Sequence, residues 1–440
     1  MPIPSVDQVP RTDDSTVGDV IECRIESLAH GIFGVARSDR GTVLVPAVAP
    51  GDRARVRIVG EPSGHREGEL VELLEPSPVR REPPCRYVPE CGGCTWQHVE
   101  YPAQLAAKEA SLRRELVRGG GFRDQELEIL PIVPSSEWSY RQRVNLRVGG
   151  EQRLGFYQHR SHRLVEIDHC LIADDVVNRH LSTAREWLRG VSTTIRRLEV
   201  ASSGDGRVTL VANAEGPFRH DGEYHAKFVR ERSGVAGIVI FGSGWRHSFG
   251  APRIRLEVDD GIVIETASGF TQVNPDANRA LVAAVLAAAA PAPTDRVLDL
   301  YCGAGNLTLP LARKVSEVIG VDVDSQGIGD ARRNADRADI GNCRFVQQSA
   351  PAAARGLAAE GERFTLIVID PPRAGAREVV DHLPLLGADR LVYVSCNPAT
   401  LARDLRVLAH HGYRPGSIQP IDLFPQTYHL EIVARVDRRS

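Results

Sequence analysis

The sequence predicts an α/β fold: a Rossmann-like, doubly wound parallel sheet in the C-terminal part, preceded by a small β-barrel and a central α+β region. Three observations carry this. From residue 296 on, apolar strand-like runs alternate with helical segments, at Arg296–Leu300, Val318–Val323, Cys343–Gln347, Phe364–Asp370 and Arg390–Cys396, the rhythm of βαβ units. The first of these runs into the turn Tyr301-Cys302-Gly303-Ala304-Gly305-Asn306, whose glycines let the backbone approach a ligand closely. Near the N-terminus the runs are instead short and separated by turn residues, which fits a barrel.

Length and composition set the outer limits. A chain of 440 residues is long enough for about two to four domains with cores of their own. Hydrophobic content of 42% and charged content of 25% are ordinary for a globular protein. No apolar run approaches the roughly 20 residues of a membrane helix. Residues 1–15 read as a flexible tail without the apolar core of a signal peptide. The expectation is a cytoplasmic protein with no membrane partner and no obligate protein partner. In that compartment the eight cysteines are expected to be reduced thiols, metal ligands or catalytic groups rather than disulfides. A net charge of −3 gives no global sign of nucleic-acid binding, but binding follows the local potential.

Residues 16–76 form the barrel, with strands expected at Val20–Ile25, Gly41–Pro46 and Arg53–Val59. Arg53, Arg55 and Arg57 share one strand face, which reads either as an RNA groove or as a solvated face. Residues 77–264 make the central region. It opens on Cys85-x5-Cys91-Gly92-Gly93-Cys94, three thiols closed by a double glycine. Four thiolates complete a tetrahedral or a cubane site, and Cys170 is the nearest unassigned fourth. Zinc stays open on this reading, although the second CxxC pair usual in zinc ribbons is absent. A helix is expected from Tyr101 to about Val117. Residues 135–170 interleave Arg141, Arg143, Arg147, Arg153, Arg160 and Arg163 with Tyr140, Phe156 and Tyr157, a mixture suited to unstacked RNA or to the charged face of a sheet.

Residues 265–440 carry the chemistry. Asn274 and Pro275 read as N-cap and first residue of a helix running to Ala290. Asp322, at the end of the strand after the glycine turn, can accept both hydroxyls of a ribose. The turn is acid-rich and free of lysine, which suits a cationic sulfonium ligand better than a pyrophosphate. Thr308 stands where a dinucleotide fingerprint has its third glycine. Asp370-Pro371-Pro372-Arg373 presents a carboxylate at a strand end. Cys396 lies just beyond the apolar strand Arg390–Val394, where ligands bind in open α/β sheets. Glu431 begins an apolar strand in which a charge has no packing reason to be, making it a candidate general base.

Together with Phe270-x-Gln272-Val273-Asn274, Ser395-Cys396-Asn397-Pro398 and the tail Phe424-Pro425-Gln426-Thr427-x-His429-x-Glu431, these motifs resemble the S-adenosylmethionine-dependent RNA 5-methyluridine methyltransferases from about residue 16 to 437. The barrel resembles a TRAM domain, an OB-like RNA-binding module. The resemblance implies a 4Fe–4S cluster on Cys85, Cys91, Cys94 and Cys170, and cofactor contacts from Gln272, Tyr301, Asn306, Asp322 and Asp370. It implies Cys396 as nucleophile and Glu431 as proton acceptor. Barrel plus cluster is most similar to members acting on 23S ribosomal RNA, with transfer RNA as the alternative substrate and a non-catalytic RNA-binding assembly factor as the alternative role. Three positions depart from the family pattern: Asp322 where Glu is usual, Leu307 for a common Phe, and Ser349 where an acid often contacts the adenine.

Overall fold

The computed structural model describes residues 17–439, apart from residues 30, 39–40, 62–63 and 268. The tail read at residues 1–15 lies outside them. The chain divides into two compact units, Met1–Pro84 with Thr95–Ala107, and Cys85–Cys94 with Lys108–Ser440.

In the first unit, five strands close into a barrel: Val20–Leu28, Phe33–Ser38, Gly41–Pro46, Arg53–Gly60 and Arg66–Glu75. Alternation points Cys23, Ile25, Val43, Val45, Val56 and Ile58 inward. The three expected strands are present. The second and fifth escaped the sequence because Phe33–Ser38 is small and Arg66–Glu75 is rich in acids. Gly68 is needed where the wall closes, since a Cβ there would stand 2.2 Å from Val56 Cγ1. Arg53 pairs with Glu75, and Arg55 with both Glu22 and Glu72.

The second unit holds two large sheets. A seven-stranded sheet occupies the central region and packs the helix Asp175–Arg189 through Val177, Leu181, Ala184 and Trp187. The catalytic sheet is built from β1 (Arg296–Leu300), β2 (Glu317–Asp322), β3 (Cys343–Gln347), β4 (Leu366–Ile369), β5 (Arg390–Ser395), β6 (Tyr413–Ile421) and β7 (Glu431–Arg438). Their order is β3-β2-β1-β4-β5-β7-β6, with the short strand Glu128–Ile129 beyond β6. The first five are parallel and β7 is antiparallel to both neighbours. The doubly wound order is as expected, and β6 and β7 close the sheet as an antiparallel pair. Both faces are covered, Leu298, Leu300 and Ile369 packing on one side and Val297, Val368 and Val392 on the other. Near-continuous apolar strands follow from that double burial.

The helix Pro275–Ala289 starts as expected, Asn274 Oδ1 accepting from the Ala277 amide at 3.1 Å with Pro275 in the first turn. The helix at Tyr101 is α-helical to Arg114 and continues as a π-helical turn over Glu115–Gly119. Among the described residues, no helix is long and apolar enough to cross a membrane.

Candidate active site

The strand order reverses between β1 and β4, and ligands bind at such a switch point beyond the carboxyl ends of the strands. A cavity of about 470 Å³ opens there. Gln272, Tyr301, Asp322, Asp370, Cys396 and Glu431 all line it, so six side chains singled out from sequence converge. Asn306 lines a smaller recess alongside, which Gln272, Tyr301 and Asp370 also share.

Local backbone geometry explains the cradle. Tyr301, Gly303 and Gly305 take φ of 67°, 53° and 96°, a left-handed bend that glycine adopts without strain and tyrosine only when its surroundings impose it. The Tyr301 amide is held by Val321 O at 2.8 Å. Asp322 accepts from the Gly303 amide at 2.9 Å and from the Asp324 amide at 2.8 Å. One oxygen goes to each, which fixes the carboxylate and leaves lone pairs facing the cavity. Asn306 exchanges two hydrogen bonds with the buried Asn278, at 2.9 and 3.0 Å, so its amide plane is set. Leu307 is buried at the recess. Ser349 is exposed and is not among the residues lining either cavity.

Register places the two reactive groups. β5 and β7 pair antiparallel from Arg390↔Asp437 to Ser395↔Ile432. Cys396 follows directly on Ser395 and Glu431 directly precedes Ile432, and both line the cavity. The Cys396 thiol is pushed up to about 11, first by burial and then by Glu431 and Asp370, with Arg373 opposing. Glu431 is buried, and its carboxyl lies well above the usual range, by burial first and by Asp370 second. Burial also pushes Asp370 up to about 7 and Asp299, beneath the turn, to about 7.

Four acids, Asp322, Asp324, Asp370 and Glu431, line the large cavity against one guanidinium, Arg373. That balance, the glycine cradle and the fixed Asp322 fit a cationic nucleoside such as S-adenosylmethionine. Sequence reasoning gave no role to Arg373, His429, Phe424 or Asp324. Arg373 and His429 approach to 3.4 Å between Nη2 and Nε2, and the rings of Phe424 and Tyr428 flank His429. Their signal lay in the motifs themselves, but only the fold brings them to one wall.

The thiols of the second unit form a separate group. The Gly93 amide points at Cys91 Sγ at 3.5 Å, and the Gly92 amide donates to Tyr157 O at 3.0 Å. The Cys91 thiol is pushed up to about 11 by burial, with Cys170 and Cys85 close enough to add to the shift. Cys170 is anchored by Asn178, whose Oδ1 accepts from its amide at 2.8 Å. Among the described residues, no three His, Cys, Asp or Glu side chains stand together as a cage for a single metal ion.

Two residues of the arginine-rich segment turn out to be structural. Tyr140 is buried and donates to Pro425 O at 3.1 Å. Arg143 is buried, bonded to Thr271 Oγ1 at 2.7 Å and paired with Glu199 at 2.6 Å. Neither is free to meet RNA.

The tRNA (uracil-5-)-methyltransferase family model matches residues 255–439. An uncharacterized RNA methyltransferase of Halalkalibacterium halodurans is 35% identical over 449 residues, covering 96% of this chain and 98% of its own. The 23S rRNA (uracil(1939)-C(5))-methyltransferase RlmD of Thiobacillus denitrificans is 35% identical, with 94% and 99% covered. The chain belongs to the RNA (uracil-C5)-methyltransferase family. Among solved structures, the Pyrococcus abyssi tRNA (uracil-54, C5)-methyltransferase in complex with S-adenosyl-L-homocysteine aligns with a TM-score of 0.72 and 25% identity, over 94% of this chain and 100% of that one. This RNA (uracil-C5)-methyltransferase is thus an S-adenosylmethionine-dependent enzyme with a class I methyltransferase domain and an OB-like barrel.

Proposed function

We propose that this enzyme methylates C5 of a uridine in 23S ribosomal RNA through a covalent adduct between Cys396 and C6 of the base. The single observation that supports it most is that Cys396 and Glu431, at the adjoining ends of two paired strands, line one cavity. Uracil C5 is too weak a nucleophile to take a methyl group unaided. Cys396 Sγ adds to C6 with loss of its proton, and the electron pair of the C5–C6 double bond becomes an enolate. S-adenosylmethionine, when bound, would supply the methyl group: C5 would take it as the sulfonium–methyl bond breaks, its electrons returning to that sulfur. Glu431, in its carboxylate form, takes the C5 proton. The S–C6 bond then breaks, its electrons returning to sulfur while the C–H pair restores the double bond. The target base must leave its stack to reach this wall.

Gln272, Tyr301, Asn306, Asp322 and Asp370 hold the cofactor on this reading, Asp322 through the ribose. Residues 16–76 serve as an RNA-binding barrel, 77–264 as the cluster-bearing domain and 265–440 as the catalytic domain. Cys85, Cys91, Cys94 and Cys170 ligate a 4Fe–4S cluster. In support, Cys170 and Cys85 lie close enough to Cys91 to act on its thiol, and the Gly93 amide reaches Cys91 Sγ at 3.5 Å.

The ribosomal substrate is favoured because the RlmD relative spans nearly the whole chain and is named for 23S rRNA. Transfer RNA is the second reading, favoured by the solved structure covered along its entire length. Unmodified 23S rRNA and tRNA transcripts, incubated with the enzyme and methyl-labelled cofactor, decide between them. Label in 5-methyluridine of 23S rRNA alone is the expected result. Label confined to tRNA overturns the ribosomal reading, and none in either overturns the activity.

A further inference from the structure

Beside the catalytic cavity lies a groove of about 420 Å³ that the chemistry above does not use. Arg253, Arg333 and Arg337 line it with Glu265 and Asp330. Arg255 reaches the same carboxylate from the neighbouring strand. Glu265 thus receives three guanidinium groups, from Arg253 at 2.8 Å, Arg255 at 3.2 Å and Arg337 at 2.8 Å. Asp330 receives Arg333, and Thr266 Oγ1 at 2.8 Å. Four cations meet two acids, in a chain whose net charge is −3.

The layering of charge is informative. The acids sit inside, with side chains 13% and 4% exposed, while Arg253, Arg255, Arg333 and Arg337 are 40–55% exposed. Each guanidinium carries five donors, and one carboxylate offers about four acceptor sites. The inner acids fix the guanidinium planes without saturating them. A structural ion pair needs one cation per carboxylate, and extra like charges crowded together cost energy unless a further anion joins them.

The groove is tied to the cavity by two continuous connections. Gly327, on the cavity wall, and Asp330, Arg333 and Arg337, on the groove, lie along one side of the helix Ser325–Arg337, about 15 Å from first to last at the helical rise. Thr266 Oγ1 also accepts from the amide of Gly269, a cavity residue, at 2.8 Å. Planar forks held open at this distance match phosphate oxygens bidentately.

We propose that the groove binds phosphates of the RNA strand flanking the target uridine, a few nucleotides from the flipped base. The proposal rests on the RNA methyltransferase reading. Its test is filter binding of an unmodified 23S rRNA transcript to the full-length enzyme across a KCl series. Arg333→Gln with Arg337→Gln should weaken binding about tenfold and flatten the plot of log K against log salt by about one unit per phosphate lost. Arg333→Lys with Arg337→Lys should keep most of the slope, since the charge remains, and affinity for S-adenosylmethionine should stay within twofold in both. Should the Gln pair loosen the fold, seen as lost cofactor affinity, Arg253→Gln carries the same test. A Gln variant with wild-type slope and affinity overturns the groove alone. A wild-type enzyme that binds no RNA overturns the groove and the proposed function together.

Discussion

The ammonium of Lys108 donates to Asp422 Oδ1 at 2.7 Å, and neither side chain reaches solvent. The same ammonium reaches Phe424 O at 3.2 Å. Tyr140 holds Pro425 O, Asn274 Nδ2 holds Leu423 O at 3.2 Å, and Gln426, at φ 69°, donates to Glu137. The segment leading into Glu431 is therefore pinned residue by residue. Burial pulls the Lys108 ammonium below its ordinary range while Asp422 opposes that pull.

Removing one partner of such a pair strands the other charge in the interior. Lys108→Met is expected to cost about 3–5 kcal/mol in denaturant unfolding. The double substitution Lys108→Met with Asp422→Asn should cost less than the single one. A single variant as stable as the wild type would show that the pair does not hold this segment.

The Cys396 thiol, pushed up to about 11, should be a poor nucleophile in the empty enzyme. Only the thiolate reacts with alkylating agents, so the rate should climb about tenfold per pH unit from 7 to 10 without levelling. A bound sulfonium places a positive charge nearby and should shift the profile to lower pH, because an opposite charge favours the thiolate. S-adenosylhomocysteine, which lacks that charge, should not. Mass spectrometry of the Cys396 peptide follows both. A plateau near pH 8.5 in the empty enzyme contradicts the burial argument.

Anaerobically purified protein should be brown and carry about four irons per chain, as cubane ligation requires. Cys170→Ser should lose iron and thermal stability together, since ligation is coupled to folding. Stoichiometric zinc without iron points instead to a tetrahedral thiolate site.

The catalytic sheet was largely legible from sequence because its signals are local. Apolar runs such as Arg390–Val394, the glycines after Leu300 and the Asn274-Pro275 cap act within a few residues of one another. Long-range consequences were not legible. Nothing local shows that Tyr140 and Arg143 face inward whereas Arg153 and Arg163 face solvent, since composition does not record the direction of a side chain. The Lys108–Asp422 pair joins residues 314 positions apart. That Cys396 and Glu431 line one cavity depends on the β5–β7 register, because a strand that slips by one residue turns every side chain over. The central region was legible as α+β, but not the order of its seven strands, which are separated by helices and turns without a repeating motif.

The adduct itself gives the most direct check on the proposed chemistry. Glu431→Gln keeps the size of the side chain but removes the base, so attack and methylation proceed while elimination stalls. Incubated with S-adenosylmethionine and 23S rRNA, this variant is expected to accumulate a denaturation-resistant protein–RNA species whose cross-linked peptide contains Cys396, and Cys396→Ala with Glu431→Gln is expected to form none. Normal turnover by Glu431→Gln, or an adduct mapped to Cys302, would contradict the assignment of Cys396 and Glu431.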